Sequence, residues 1–172
     1  SSQNDKENHE NITQEDSLPG IDKNNSDFTY LALGDSYTIG ESVNTDKRFP
    51  VQLAEKLTKN GFWVENPEIV AQTGWTTDEL AAAIKNSDLN VIYDLVTLLI
   101  GVNNQFRGRS PDEYRAQFAE LLQTSINFAG DEKSVIVISI PDYGVTPFGQ
   151  NRNPEKTAEE IDLFNQINLE VT

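Results

Sequence analysis

Short apolar segments that alternate with helical segments constrain the fold of this chain most strongly. Residues 94–100 (DLVTLLI) and 134–140 (SVIVISI) are almost wholly apolar, which is typical of strands that are covered on both faces. Residues 28–33 form a third strand of this kind, and residues 62–71 form a weaker one centred on residues 69–71. The sequence therefore predicts four buried strands.

Helical patterns separate these strands and follow the last one. Residues 49–59 carry apolar side chains at helical spacing. Thr76 and Ser110 each stand three residues before a glutamate, which is the pattern of a capping box at a helix start. The helix after Ser110 is predicted to run to about residue 128, and a last helix begins at Asn153.

Strict alternation of strands and helices predicts an α/β fold with a parallel sheet covered by helices on both faces. Right-handed crossovers make this a flavodoxin-like three-layer α/β/α sandwich, for which we expect strand order 2-1-3-4 and a fifth strand missing. The strand at residues 134–140 would then have a bare edge, so we expect a poorly soluble or dimeric fragment.

The first 27 residues differ in composition from the rest of the chain. They contain seven acidic residues, two lysines and almost no apolar side chains, so they cannot bury enough surface to offset the entropy of ordering. We expect a disordered acidic tail at 1–27 and one domain at 28–172. The tail resembles the linker behind the lipidated cysteine of bacterial lipoproteins, so an extracytoplasmic location is expected.

Charge and composition exclude several classes of function. A net charge of −15 argues against nucleic acid as a partner, because few cations are available to neutralise phosphates. The chain has no cysteine, so it forms no disulfide and uses no thiolate as nucleophile or metal ligand. No apolar run reaches the length of a transmembrane segment.

Polar residues follow the predicted strands at the points where ligand groups gather in parallel sheets. Gly34-Asp35-Ser36 follows the first strand, Gly74 the second and Asn103 the third. Each alone is compatible with an ordinary turn or helix cap. Together they are compatible with an acyl-transfer site. Ser36 would be the nucleophile, and the N–H groups of Ser36 and Gly74 and the Asn103 amide would bind the oxyanion.

These motifs resemble the SGNH/GDSL hydrolase family of esterases and acylhydrolases. LGDSYTIG is similar to its first block, AQTGWTT to its second and LLIGVNNQFRG to its third. The resemblance implies that Ser36 is the nucleophile and that Gly74 and Asn103 are oxyanion donors. Asn104 replaces the aspartate that is usual in the third block.

The fourth block of that family, Asp-x-x-His, is not found in this sequence. The single histidine, His9, lies in the polar tail before the first strand and matches nothing in the pattern. The resemblance therefore implies a base, and an aspartate that orients it, on a segment after Thr172.

Further side chains beside these motifs are candidate substrate contacts. We expect Asp35, Trp75 and Asn104 to lie in the substrate-binding region. Trp75 and the aromatic residues of neighbouring loops are compatible either with a pocket wall or with half-buried covers (Phe106, Tyr143, Phe148). Arg107 and Arg109 are expected to pair with acids such as Asp112 and Glu113 rather than with an anionic substrate.

The resulting prediction is a serine ester hydrolase that acts on a small-molecule ester and needs no cofactor or metal. A non-catalytic carbohydrate- or partner-binding module on the same fold remains an alternative. A flavin or nucleotide binder is a third, although GDSYTIG is not a phosphate-binding loop.

Overall fold

A four-stranded parallel sheet is the centre of the fold. The structure, a computed structural model, describes residues 28–64, 66–89 and 92–172. The strands are β1 (Tyr30–Gly34), β2 (Glu68–Ala71), β3 (Leu95–Leu99) and β4 (Val135–Val137). Their order is β2-β1-β3-β4, and every pairing is parallel. The predicted α/β class and the strand order 2-1-3-4 are confirmed.

Four longer helices connect or follow the strands, as the sequence predicts. They are α2 (Phe49–Lys59), α3 (Thr77–Lys85), α5 (Pro111–Ala129) and α6 (Pro154–Val171). Two short helices, α1 (Ser36–Ile39) and α4 (Val102–Phe106), follow β1 and β3 directly. The sequence predicts loops at both stretches, because four or five residues are too few to show helical periodicity.

The helix starts agree closely with the capping signals. Thr76 and Glu79 form both halves of a capping box at the start of α3. The Ser110 side chain accepts from the backbone N–H groups of Asp112 and Glu113 at the start of α5. The Glu113 carboxylate accepts from Gln117 and lies near Arg109. The structure thus forms the Ser110 half of the second predicted box.

Alternate side chains of the central strands face two different helical layers. Leu31, Leu33 and Leu98 lie in the larger core under α3, α5 and α6. Tyr30 and Ala32 lie in a smaller core with Ala54 of α2. This two-residue period places helices on both faces of the sheet, and it leaves the carboxyl ends of the strands as the place where four loops meet.

β4 departs from the prediction in length and in burial. It covers only Val135–Val137 of the predicted residues 134–140, and the Ile136 side chain is 49% exposed. The strand pairs with β3 on one side and lies at the end of the sheet. An apolar sequence at an edge position was therefore wrongly predicted to be buried.

None of the helices in the described part of the chain has the length and apolar character needed to cross a membrane. The predicted acidic tail and His9 lie outside the described residues, so their predicted properties stay predictions.

Candidate active site

The loops after all four strands line one open cavity of about 400 Å³. Because parallel strands end at the same edge of a sheet, these loops converge there. The loops after β1 and β3 follow the two central strands of the sheet, and those after β2 and β4 follow its two outer strands. The cavity is lined by Ser36, Tyr37, Glu41, Thr73, Gly74, Val102, Asn103, Phe106, Tyr143, Thr146 and Phe148.

Ser36 is presented by a sharp change from strand to helix. It is the first residue of α1, and Gly40 ends that helix in a left-handed conformation. Only glycine fits at position 34, because a Cβ there would lie 2.1 Å from Thr38 Oγ1 and 2.5 Å from the Leu99 carbonyl oxygen. The Ser36 N–H precedes the hydrogen-bonded turns of α1 and is one of the unsatisfied donors of a helix start.

Gly74 lies in a tight turn after β2. The Trp75 N–H donates to the Gln72 carbonyl at 3.2 Å, and Gly74 has φ of +89°. This is the left-handed backbone that glycine adopts at little cost at the third position of a turn. Within the described residues the Gly74 N–H makes no hydrogen bond to the chain, so it is free to bind a ligand in the cavity.

Asn103 lies in α4, and its side chain is oriented by the Gly74 loop. Its Nδ2 donates to the Trp75 carbonyl at 2.9 Å. A primary amide has two N–H donors, so the second remains for a ligand. The structure therefore brings Ser36, Gly74 and Asn103 to one cavity from three different strand ends.

The three expected substrate contacts do not lie on the cavity wall. Asp35 and Asn104 are both fully buried, and Trp75 packs against the larger core. Asn104 instead links two helices: its Oδ1 accepts from the Thr77 N–H at 3.1 Å, and its Nδ2 donates to Thr77 Oγ1 at 2.8 Å. Asp35, at the start of α1, and Asn104, in α4, point into the core, so their positions favour a role in supporting the site from behind.

Asp35 is an unusual buried acid next to Ser36. One carboxylate oxygen accepts from the Tyr37 N–H at 3.0 Å, whereas Oδ2 has no hydrogen-bond partner among the described residues. Burial raises the pKa of Asp35 to about 7, although the Tyr37 N–H lowers it in part. The fold thus disfavours a full negative charge directly behind the nucleophile.

An aromatic wall closes the end of the cavity near β4. The Phe106 and Phe148 rings stack with centroids 5.9 Å apart, and Tyr143 lies about 6 Å from both. The Arg152 guanidinium carbon lies 3.7 Å from the Phe106 ring centroid. The three predicted aromatics therefore contribute to the wall, while Trp75 does not line the cavity.

The opposite end of the cavity, near β2, is polar. Thr73 donates to the Glu41 carboxylate there. Sequence reasoning missed Glu41 and Thr73, as well as Tyr37, Val102 and Thr146. Each stands within five residues of a predicted site residue or predicted aromatic, so proximity to the strand ends was the available signal.

Arg107 and Arg109 form ion pairs, one of them with an expected acid and the others with acids of α3. Arg107 lies 3.2 Å from Glu79 and also donates to the Gly74 carbonyl at 2.6 Å. Arg109 lies 2.6 Å from Asp78 and 3.8 Å from Glu113. Only the Glu113 contact was expected. Both arginines connect the α4 segment, which comprises α4 and the three residues after it (residues 102–109), to the first turn of α3.

The described residues do not include a histidine that could act as general base for Ser36. The single histidine, His9, lies outside them. Across residues 28–64, 66–89 and 92–172, no three His, Cys, Asp or Glu side chains gather as a metal site would require.

Comparison with solved structures reveals the same fold in two esterases and in TesA. The SGNH-hydrolase family esterase AlinE4 matches with a TM-score of 0.66 and 20% identity, over 86% of this chain and 71% of that chain. TesA matches with a TM-score of 0.60 and 20% identity, over 83% and 72% of the two chains. The esterase EstA from Pseudoalteromonas sp. matches with a TM-score of 0.56 and 18% identity, over 84% and 74%.

At the sequence level, no curated protein matches the chain, but a family profile does. The profile of the GDSL-like Lipase/Acylhydrolase family matches residues 32–172, which include all the strands and helices described above except the first two residues of β1. The chain belongs to the GDSL-like lipase/acylhydrolase family.

Proposed function

We propose that this protein is a serine ester hydrolase in which Ser36 is the nucleophile. The observation that carries the proposal is the convergence of Ser36, Gly74 and Asn103 on one cavity. The three residues come from separate strand ends, and each offers a hydrogen-bond donor that the described chain leaves unused. A turn or a helix cap would not require all three in one place.

In the proposed reaction the Ser36 Oγ attacks the carbonyl carbon of an ester. The carbonyl oxygen becomes an anion and accepts from the N–H groups of Ser36 and Gly74 and from the Asn103 amide. One such donor contributes about 3–4 kcal/mol to transition-state stabilisation. Collapse of the intermediate releases the alcohol, and water then hydrolyses the acyl-enzyme.

The reaction also needs a group that takes the Ser36 proton. The family resemblance implies a histidine on an Asp-x-x-His segment, and residues 28–172 contain no histidine. We therefore assign this step to a base outside the described residues, and the experiments below use the complete gene product.

A non-catalytic binding module is the second candidate. The observation in its favour is that the described residues combine an aromatic-walled cavity with the absence of a histidine that could serve Ser36 as a base. In that case the cavity would bind a carbohydrate or a partner, and Ser36 would have an ordinary serine reactivity.

A fluorophosphonate probe separates the two candidates. The EstA structure was obtained with monoethylphosphonate as inhibitor, which makes a phosphonate a reasonable choice of probe. We expect the complete gene product to be labelled, Ser36→Ala not to be labelled, and Ser139→Ala, a control serine on the exposed surface, to be labelled normally. No labelling of the unmodified protein would favour the binding module.

A further inference from the structure

Two side chains of the α4 segment bind two successive carbonyl groups of the Gly74 loop. Arg107 Nη2 donates to the Gly74 carbonyl at 2.6 Å, and Asn103 Nδ2 donates to the Trp75 carbonyl at 2.9 Å. Arg107 follows Asn103 by four residues and is the C-cap of α4. Residues four apart lie on the same side of a helix, so both side chains reach the same loop.

Arg107 also forms an ion pair with Glu79 in the first turn of α3. Its Nη1 donates to Glu79 Oε1 at 3.2 Å. The other carboxylate oxygen of Glu79 accepts from the Thr76 N–H at 2.9 Å and from Thr76 Oγ1 at 3.1 Å. The Thr76 N–H, followed by Arg107, holds the pKa of Glu79 below its usual value. The guanidinium therefore joins α4, the Gly74 loop and the first turn of α3.

The orientation of the Gly74 N–H depends on the state of this turn. The N–H belongs to the central peptide of the turn that the Trp75 N–H closes on Gln72. Gly74 has φ of +89°. Since glycine has a wide choice of backbone conformations at little cost, contacts from outside the turn have to hold this loop in one position.

We propose that Arg107 is a positioning residue that holds the Gly74 loop against α4 and the first turn of α3, so that the Gly74 N–H stays at the cavity. This inference rests on the proposed function, because it assigns the N–H to the oxyanion. Arg107 does not touch the reacting atoms. Its charge-assisted hydrogen bond to the Gly74 carbonyl, together with its ion pair to Glu79, limits the movement of the loop that carries the N–H.

Arg109 provides a matched control on the same segment. It is an arginine two residues further on, it also pairs with an acid of the first turn of α3, and its distance to Asp78 is 2.6 Å. Among the described residues it donates to no carbonyl of the Gly74 loop. Arg107→Gln and Arg109→Gln thus both remove a guanidinium–carboxylate pair, and only the first removes the bond to Gly74.

The first measurement follows the turn itself and does not depend on activity. We expect amide hydrogen exchange at the Trp75 N–H to become about 10- to 100-fold faster in Arg107→Gln, as for loss of a hydrogen bond to a charged group. It should stay within about twofold of the unmodified protein in Arg109→Gln. Equal exchange at Trp75 in both variants would overturn the proposal.

The second measurement follows the oxyanion donor in the complete gene product. With p-nitrophenyl butyrate as substrate, Arg107→Gln should lower kcat about 10- to 100-fold with KM changed less than about threefold, as expected when a transition-state interaction is lost. Arg107→Lys should recover part of the rate, and Arg109→Gln should keep it. Loss of kcat to the same extent in both glutamine variants would overturn the proposal.

The two measurements separate this inference from the proposed function. Faster exchange at Trp75 in Arg107→Gln, in a protein that neither hydrolyses the ester nor reacts with the phosphonate, would support the positioning role of Arg107 and reject the esterase. Normal labelling of Ser36 with unchanged exchange and kcat in Arg107→Gln would support the esterase and reject the positioning role.

Discussion

Gly74 combines a left-handed backbone with free space around it, which makes its substitution informative. A Cβ at this position would meet its nearest atom, Arg107 Nη2, at 3.8 Å, so alanine fits sterically. The φ of +89° nevertheless disfavours any residue with a side chain, by about 1–2 kcal/mol.

We therefore expect Gly74→Ala to relieve this strain by turning the peptide and moving the N–H away from the cavity. The rate of phosphonate labelling at Ser36 should fall by about 10²-fold, because one oxyanion donor is lost. The free energy of unfolding should fall by only about 1 kcal/mol. Normal labelling of Gly74→Ala would contradict the role assigned to this N–H.

The buried carboxyl of Asp35 predicts a pH dependence of stability. Its pKa is raised to about 7 by burial, compared with about 3.9 in an unfolded chain. Between these two values the folded state binds more protons than the unfolded state, so the free energy of unfolding decreases as pH rises. The contribution is fully present below pH 4 and is lost as pH rises through about 7.

Asp35→Asn removes this titration and keeps an oxygen that accepts from the Tyr37 N–H. We expect the variant to gain stability relative to the unmodified protein between pH 4.5 and 7.5, by at most about 4 kcal/mol. Urea unfolding at the two pH values measures the difference. Parallel changes with pH in both proteins would show that Asp35 is charged in the fold at little cost.

The sequence predicts which residues of the site lie at the same edge of the sheet, but it does not predict the direction in which each side chain points. The order of strands places Ser36, Gly74 and Asn103 at one edge, and all three line the cavity there. Asp35 and Asn104 stand next to them in the sequence but are fully buried. Neighbouring residues at a strand end point to different sides, and short helices such as α1 and α4 decide which side.

At the level of elements, the strength of the periodic signal determined what could be predicted. The predicted bounds of α2, residues 49–59, equal the observed ones, because its apolar stripe and its stop signal are both clear. The sequence of β4 is as apolar as that of β3, yet only β3 is fully buried. Composition records that a strand is apolar, whereas burial also depends on its place in the sheet.

Asn104 of α4 is connected through Thr77 to α3 and α5, and these hydrogen bonds hold α4 against the two longer helices. It exchanges two hydrogen bonds with Thr77 at the start of α3, and the Thr77 hydroxyl donates to Gln117 of α5. Asn104→Asp restores the residue usual in the third block of the family. Here, however, it replaces the Nδ2 donor by an acceptor that faces the Thr77 oxygen.

We expect Asn104→Asp to lower the free energy of unfolding at pH 7 by about 1–3 kcal/mol, since a buried group loses its partner. The loss should shrink as pH falls towards 4, because protonation of the new carboxyl restores a donor. Chemical denaturation at both pH values measures this. An equally stable variant at pH 7 would show that Gln117 rotates its amide to compensate.

The charge of the whole molecule predicts a preference among esters. The net charge is −15, and the exposed Glu41 carboxylate lines the polar end of the cavity. A field of one sign raises the concentration of opposite charges and lowers that of like charges near a site. Esters with an anionic alcohol should therefore enter less readily than neutral esters of the same acyl group.

We expect kcat/KM for an anionic ester to be about tenfold below that of its neutral counterpart at 10 mM salt. The ratio should approach one at about 0.2 M salt, where the screening length is below about 10 Å. Glu41→Gln should reduce the difference at low salt. A ratio that is independent of salt would show that contacts within the cavity, and not the field, set the preference.

The edge of the sheet predicts how molecules of this chain interact with each other. Among the residues that the structure describes, β4 pairs with β3 and with no other strand, and the Ile136 side chain is 49% exposed. Unpaired N–H and C=O groups beside an exposed apolar residue form a template for pairing with a second chain. The net charge of −15 opposes association, but salt at 0.15 M screens it beyond about 8 Å.

We therefore expect the average mass of this 172-residue chain in sedimentation equilibrium to rise with concentration at physiological salt. Ile136→Lys should shift association to at least about tenfold higher concentration, because a charged side chain on an edge strand opposes pairing. Val43→Lys is the matched control, since Val43 is also 49% exposed but lies in the loop after α1. A monomer at every concentration would contradict the predicted association, and an equal effect of both lysines would place the association outside the β4 edge.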